Sequence, residues 1–405
     1  MIEVSRLVRR NRHRLGSVAA AVVAAAVLAG CSSSNSGGSA SSSTAPAGSA
    51  PSSASSASSA SAIVAQAQAA VAKAETPLST WDGPTTGPKI VTGKSIVAVV
   101  PASSIGTYYI PALQAAAKKV GWSVKVISLD PTEPQTWIPG LDQAIALKPN
   151  GIISFVNSLG AVSKELSEMK SLGITFISYY SGPEPGPDPA YPSMFTAITP
   201  DSYGLGKLQA ELAVANSNGT ARAIVIDLPS SPISHAVALG NTAEIKACTT
   251  CTLLTTTDQG LEAFTTPSFA ATLMTSWVQK YGSEPFYSFA SSDVFWNNMV
   301  PTLQTAGVAD NNVILIGSNG DPAAYPRIRN GQYQIATTAQ PYGLFAYQTI
   351  DEFNRAFHGD APSGYVPPNY LVTKQNVSEA GGATAQYLPP VNYEAAYEKI
   401  WGIGQ

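Results

Sequence analysis

Charge is scarce in this chain: only 12% of its 405 residues are Asp, Glu, Lys or Arg. The basic residues crowd the start, where Arg6, Arg9, Arg10, Arg12 and Arg14 face a single Glu3. Beyond residue 30 there remain 18 basic against 25 acidic residues, a net charge of about −7. Nothing basic is left to hold a phosphate backbone, so nucleic-acid binding is excluded. Histidine is rarer still: His13, His235 and His358 stand far apart. No serine or cysteine sits in a G-x-S-x-G elbow, which argues against an exported hydrolase. Cysteine is limited to Cys31, Cys248 and Cys251. The C-x-x-C spacing of the last two is compatible with a redox dithiol or half a zinc site. With one pair and no clustered histidine, zinc is disfavoured. In an exported chain the simplest reading is a short-loop disulfide. No metal and no cofactor are expected. Long apolar runs are also missing after residue 30, which leaves no candidate membrane span.

What is present begins with that one apolar run. Ser17 to Gly30 follows the arginines without a break, and it ends in Leu28-Ala29-Gly30-Cys31. A basic start, a short apolar segment and small residues before a cysteine form a lipoprotein signal with a lipobox. The expectations are a signal peptide over 1–30, a lipid on Cys31 and an extracytoplasmic location at the cell membrane. Residues 31–62 are Ser, Ala, Gly and Pro with almost nothing else. Such a tract cannot bury enough apolar surface to offset its ordering entropy, and it reads as a tether of roughly 30 Å root-mean-square reach.

Residues 63–93 read as a helix over Ile63–Glu75, ended by Pro77, and a turn-rich connector. From Ser95 short β-branched runs alternate with helical stretches of 10–15 residues. Strands are predicted at Ser95–Val100, Ser123–Ser128, Gly151–Val156, Ile174–Tyr179, Ala223–Asp227, Thr252–Thr256, Phe286–Ala290, Val313–Gly317 and Ile335–Thr338, with Phe195–Ile198 also strand-like. This is the pattern of βαβ units and parallel sheets. About 300 residues of it exceed one comfortable core, so two lobes are expected, with a break near Thr199-Pro200-Asp201. The fold class is α/β, two doubly wound parallel-sheet lobes joined by a hinge. The first lobe is assigned 94–199 plus 341–370, the second 200–340 plus 371–390, and a helical tail 391–405.

Several segments carry a family likeness. Ser95–Val100 leads through a loop to Ala112–Lys119 and Val120-Gly121-Trp122. Ala290-Ser291-Ser292-Asp293 precedes a helix ending Leu303-Gln304-Thr305-Ala306-Gly307. Then come Ile316-Gly317-Ser318-Asn319-Gly320 and Thr338-Ala339-Gln340-Pro341. In order and spacing, from about Lys94 to Gln375, the chain resembles the type 1 periplasmic solute-binding proteins, in the ribose-binding-protein-like branch that serves ABC importers. The resemblance implies a binding protein, not an enzyme, working as a monomer that captures a small solute and passes it to a membrane ABC permease. The second reading is an exported sensor subunit that presents a small cyclic or aromatic molecule to a membrane receptor.

The departures from that family are equally informative. Its sugar-gripping Asp and Arg fall on Tyr180 and Ser181, its Asn on Ser292 and its later Asp on Asn319. A second-lobe Arg has no counterpart within Ser230–Val237. The implied pocket is neutral and rich in tyrosine, suited to a neutral solute, with sugar or polyol favoured by the family. By position the ligand contacts are Tyr108 or Tyr109, Asn157, Tyr180, Ser292, Trp296, Asn319 and Gln340. Trp296 reads equally as core. Ser103, Ser104 and Phe264 are weaker candidates. Asp293, at a helix start, reads first as an N-cap, and His235 as a rim residue.

Overall fold

The computed structural model describes residues 53–130, 136–156, 158–182, 184–260, 266–381 and 386–403. Cys31, Asn157 and Phe264, with the signal segment and most of the expected tether, lie outside them. The first sheet is five-stranded and wholly parallel, in the order β2-β1-β3-β4-β5. Its strands are β1 (Ser95–Pro101), β2 (Ser123–Leu129), β3 (Gly151–Ser154), β4 (Thr175–Tyr179) and β5 (Met194–Ile198). Helices α2 (Ser104–Lys119), α3 (Trp137–Ala146) and α4 (Ser163–Ser171) connect them. β1 is an apolar run buried along almost all of its length, as a central strand covered on both faces should be.

The second sheet has six strands in the order β11-β10-β9-β8-β6-β7. These are β6 (Arg222–Asp227), β7 (Thr252–Asp258), β8 (Phe286–Phe289), β9 (Val313–Asn319), β10 (Gln334–Ala339) and β11 (Tyr370–Thr373). Around them lie α5 (Ser202–Asn216), α6 (Pro232–Ala247), α7 (Pro267–Tyr281), α8 (Val294–Thr305) and α9 (Ala324–Asn330). Each of the ten strand-like runs is a strand. The eleventh, β11, pairs antiparallel with β10; its four residues behind Pro367 and Pro368 are too short to carry a period. Asp201 starts α5 by accepting from the backbone N–H of Gly204 at 2.8 Å, so the break after Thr199 is a capped helix entry. Helices α5 and α6 pack backbone to backbone: a Cβ on Gly206 would lie 1.9 Å from the Val237 carbonyl oxygen.

The described segments before β1 and after β11 return to these cores. Helix α1 covers Ser53–Ala74, reaching back into the tract expected to be a tether. Alanine is the strongest helix former, and a helix fixed by packing at Ala67 propagates through Ser-Ala sequence at little cost. Helix α10 (Tyr342–His358) crosses back to the first lobe, and α11 (Val377–Ala380) stays with the second. The last helix, α12 (Tyr393–Trp401), is no loose tail: Tyr397 and Trp401 are buried in the first-lobe cluster with Tyr347, Ile350 and Phe353. Cys248 and Cys251 form a disulfide, closing the turn between α6 and β7. Among the described residues no helix is long and apolar enough to cross a membrane.

Candidate functional site

Parallel strands deliver their carboxyl ends to one edge of each sheet, and the loops there face a crevice. In the first lobe that edge carries Ser103, Tyr108 and Tyr179-Tyr180-Ser181. In the second it carries Asp227, Ser291-Ser292-Asp293, Asn319-Gly320-Asp321 and Gln340. The two edges meet at Tyr342, the first residue of α10. Its ring is buried in the first-lobe cluster and its hydroxyl donates to the Asn319 carbonyl oxygen at 3.1 Å. Asn319 holds a left-handed backbone, φ +85°, which turns that carbonyl out of the strand end. Tyr108 stacks on Tyr342 with ring centroids 6.2 Å apart, and Ile233 of the second lobe packs against the first-lobe cluster.

Tyr180 also has a left-handed backbone, φ +55°, which is rare for an aromatic residue and strained. The strain turns its ring back beside Tyr179 and Phe345, at 5.0 and 6.1 Å. Its hydroxyl is buried without a hydrogen-bond partner, as is that of Ser103, while the buried Tyr325 brings its hydroxyl beside Gly320. An unpaired buried hydroxyl costs about 1–3 kcal/mol, a penalty that a bound polar molecule would remove. Burial pushes the Tyr180 phenol far above its ordinary range, aided by the neighbouring Tyr342, so it stays neutral and can both donate and accept.

The expected contacts therefore separate. Tyr108, Tyr180, Asn319 and Gln340 lie around Tyr342: the Gln340 side chain is buried, and the backbone carbonyl of Gln340 accepts from the Tyr342 N–H at 3.0 Å. Tyr109 goes elsewhere. It is wholly buried, stacked on Tyr179 at 4.0 Å, with its hydroxyl bonded to Thr349 at 2.7 Å. In a helix that begins at Ser104, successive side chains turn by about 100°, which carries Tyr109 into the core while Tyr108 stays half-buried. Trp296 lies in the second-lobe core with Phe295, Met299 and Leu303; its indole N–H has no partner and lies beside Gly317, where a Cβ would come within 2.8 Å. Ser292 accepts from the Val294 N–H at 3.3 Å, so it serves the helix start. Ser181 likewise holds its own loop, accepting from the Val156 N–H at 2.8 Å.

Asp293 is not the cap that its position suggested. Its backbone is helical and its side chain bonds none of the N–H groups at the start of α8. The fully buried carboxylate instead accepts from the Asp321 N–H at 2.9 Å, the Thr337 hydroxyl at 2.7 Å and the Gln334 amide at 2.6 Å. Gln334 in turn accepts from the buried Arg327 guanidinium at 2.8 Å. This network fixes the 317–321 loop against β10. Desolvation raises the Asp293 carboxyl to about 7 despite those donors. A second buried clamp, Gln209, donates to the carbonyls of Ala290 and Gly317 at 3.0 and 2.9 Å. Sequence reasoning missed Tyr342, Tyr325 and Asp321. The run Gln340-Pro341-Tyr342 carried a signal, since a side chain just past a hinge proline touches both lobes.

The expectation of an uncharged lining needs correction. Burial, and secondarily the charge of Asp321, raises the Tyr108 phenol above its ordinary value. Asp227, at the end of β6, accepts from His235 Nδ1 at 2.9 Å and 3.0 Å through its two oxygens. Cutting β6 off at its strand end leaves that carboxylate at the rim, which the missing arginine gave no reason to expect. Among the described residues no group of His, Cys, Asp and Glu could hold a metal. A cavity of about 380 Å³ lies at the opposite ends of β4 and β5, lined by Lys170, Thr175 and Met194. It lies at the strand ends remote from the crevice.

Comparison with known proteins agrees with this architecture. A family model described as periplasmic binding protein domain matches residues 96–360. Among solved structures, an ABC sugar transporter subunit from Rhodobacter sphaeroides 2.4.1 superposes with a TM-score of 0.59 at 19% identity, covering 70% of this chain and 99% of its own. An ABC transporter solute-binding protein from Mycobacterium smegmatis with bound glycerol gives 0.62 at 16%, covering 73% and 99%. One from Agrobacterium vitis bound with alpha-D-tagatopyranose gives 0.61 at 17%, again covering 73% and 99%. No curated protein sequence matches. With its two parallel-sheet lobes and the match over most of its length, the chain belongs to the periplasmic binding protein family, which binds small solutes and does not convert them.

Proposed function

We propose that this chain captures a small neutral solute of the sugar or polyol class between its lobes and delivers it to an ABC-type importer, held to the outer face of the membrane by a lipid on Cys31. The observation that carries the reading is the pair of buried, unpartnered hydroxyls of Tyr180 and Ser103 at the crevice edge of the first lobe. A hydroxyl-bearing ligand supplies both donors and acceptors to such groups. The tyrosine faces of Tyr108 and Tyr342 offer apolar surface to a sugar ring, and Asn319 and Gln340 add polar contacts. Solute-binding structures with glycerol and tagatopyranose share the fold.

The test is a thermal-shift and calorimetric screen of glycerol, D-tagatose, D-arabinose and allitol, with nucleosides and simple phenols as a second panel. A ligand at one hundred times its Kd stabilises the folded state by about 2.7 kcal/mol. Stabilisation by a sugar or polyol, weakened in Tyr180→Phe and Gln340→Ala, is the expected result. Stabilisation by the second panel alone would replace this reading with capture of a flat cyclic ligand, the chemistry of the sensor alternative. Anchoring is tested separately: Cys31→Ser should release the protein from the membrane fraction, and continued anchoring would remove the lipid from the scheme.

A further inference from the structure

The matched family region spans 96–360, yet the chain on both sides of it is built into the lobes. Helix α1 packs Ile63, Val64, Ala67, Val71 and Ala74 on the second-lobe cluster, beside α5 and the Cys248–Cys251 disulfide. The helix end is tied to the same lobe, where the Asn376 amide donates to the Glu75 carbonyl at 3.2 Å. Three residues later the chain is held by the first lobe. Leu78, Trp81, Ile90 and Val91 pack on the first-lobe cluster. Arg355, Asn354 and His358 of α10 bond the carbonyls of Thr86, Pro88 and Lys89 at 2.7–2.9 Å, and the Ile90 N–H donates to the Trp401 carbonyl at 3.1 Å.

The carboxyl-terminal segment crosses alongside, also from the second lobe to the first. Tyr387 stacks on Tyr370 of the second lobe with centroids 4.1 Å apart, whereas Val391 and Tyr393 lie in the first-lobe cluster. The two crossings touch: the Val391 N–H donates to the Leu78 carbonyl at 3.2 Å and the Leu78 N–H to the Tyr387 hydroxyl at 3.4 Å. They also touch the segment that leads from α10 back to β11, since the Tyr365 hydroxyl donates to Asp82 at 2.7 Å.

From this geometry we infer that the two chain ends form a paired strap that limits how far the lobes open. Both links are short and stiff. Glu75 to Leu78 reaches at most about 10 Å when fully extended and Tyr387 to Val391 about 14 Å. Pro77, Pro389 and Pro390 fix φ within them, so neither link can uncoil freely. A wide opening would have to tear α1 from α5 or the connector from α10. The strap thus holds the crevice in a narrow range around the arrangement in which Tyr342 reaches Asn319. This inference does not depend on which solute binds.

The test is pulsed electron resonance on the full chain without added solute, in a Cys31→Ser background. Nitroxides go on Lys164→Cys in α4 and Gln279→Cys in α7, both exposed and on different lobes. Two variants cut the strap differently: Ala67→Glu undocks α1, and Pro390→Gly, at an exposed position, softens the second link without removing buried packing. Each should broaden the interlobe distribution, with a tail on the order of 5 Å longer, the reach of one to two freed residues. Leu303→Ala, a core change in the second lobe remote from the strap, should leave the width unchanged. Unaltered distributions in both strap variants would overturn the proposal. So would equal broadening in Leu303→Ala, which would show a general loosening instead of release of a strap.

Discussion

Replacing Asp293 by Asn should change how stability depends on pH, by an amount the site itself sets. The carboxyl is wholly buried and desolvation raises it from 3.8 to about 7. An acid whose pKa is higher in the folded state binds its proton more tightly when folded. Its contribution to stability is therefore greatest below 3.8, declines as pH rises, and stops declining above about 7. At 1.36 kcal/mol per unit, the whole change is on the order of 4 kcal/mol. Asp227 and Glu352 are raised in the same sense by burial, so the pH profile of the unmodified protein alone would mix several groups. Subtracting the Asp293→Asn profile isolates the one carboxyl. Urea unfolding at closely spaced pH values from 4 to 8 should show the unmodified protein losing about 4 kcal/mol relative to the variant. The variant is not simply more stable. Three donors converge on the carboxylate, and the amide of Asn meets one of them with a second donor, at a cost of about 1–3 kcal/mol. A stability gap constant across that range would refute the reasoning, because it would mean that the donors and Arg327 keep the group ionised throughout.

Other outcomes follow from single contacts. Tyr180→Phe removes a buried, unpartnered hydroxyl, so it should leave the free protein as stable or more stable by up to about 1–3 kcal/mol while weakening solute binding; denaturation and calorimetry on the same sample separate the two effects. Gly206→Ala places a Cβ 1.9 Å from a backbone oxygen of α6, and overpacking of this kind should cost about 1–3 kcal/mol in urea unfolding. Reducing Cys248–Cys251, which closes a loop with a sequence separation of 3, should cost only about 2 kcal/mol on chain-entropy grounds. A much larger loss of melting temperature in reductant would mean that the bond also supports the docking of α1.

The order of elements was legible from residue patterns because the parallel strands are short runs rich in β-branched or aromatic residues, buried on both faces at the sheet centres, and each connecting helix has its own length and period. The disulfide was legible from compartment and spacing. The edge strand β11 was not, since four residues between prolines and a polar turn show no period, and only its pairing with β10 makes it a strand. Strand ends were legible: Tyr180, Asn319 and Gln340 sit at or just past the ends of β4, β9 and β10, and Tyr108 sits early in α2, while their contact with a solute is a proposal. Which of Tyr108 and Tyr109 faces the crevice depended on where α2 begins, a matter of one turn of helix. Whether Asp293 capped its helix or bound the neighbouring loop depended on Gln334 and Thr337, some forty residues away along the chain. Composition alone set the charge, the sparse histidine and the helix-forming strength of the alanine-rich segment. Tertiary structure decided that this segment docks on the second lobe and that Trp401 closes the first, because burial against a distant surface is a property of neither sequence stretch alone.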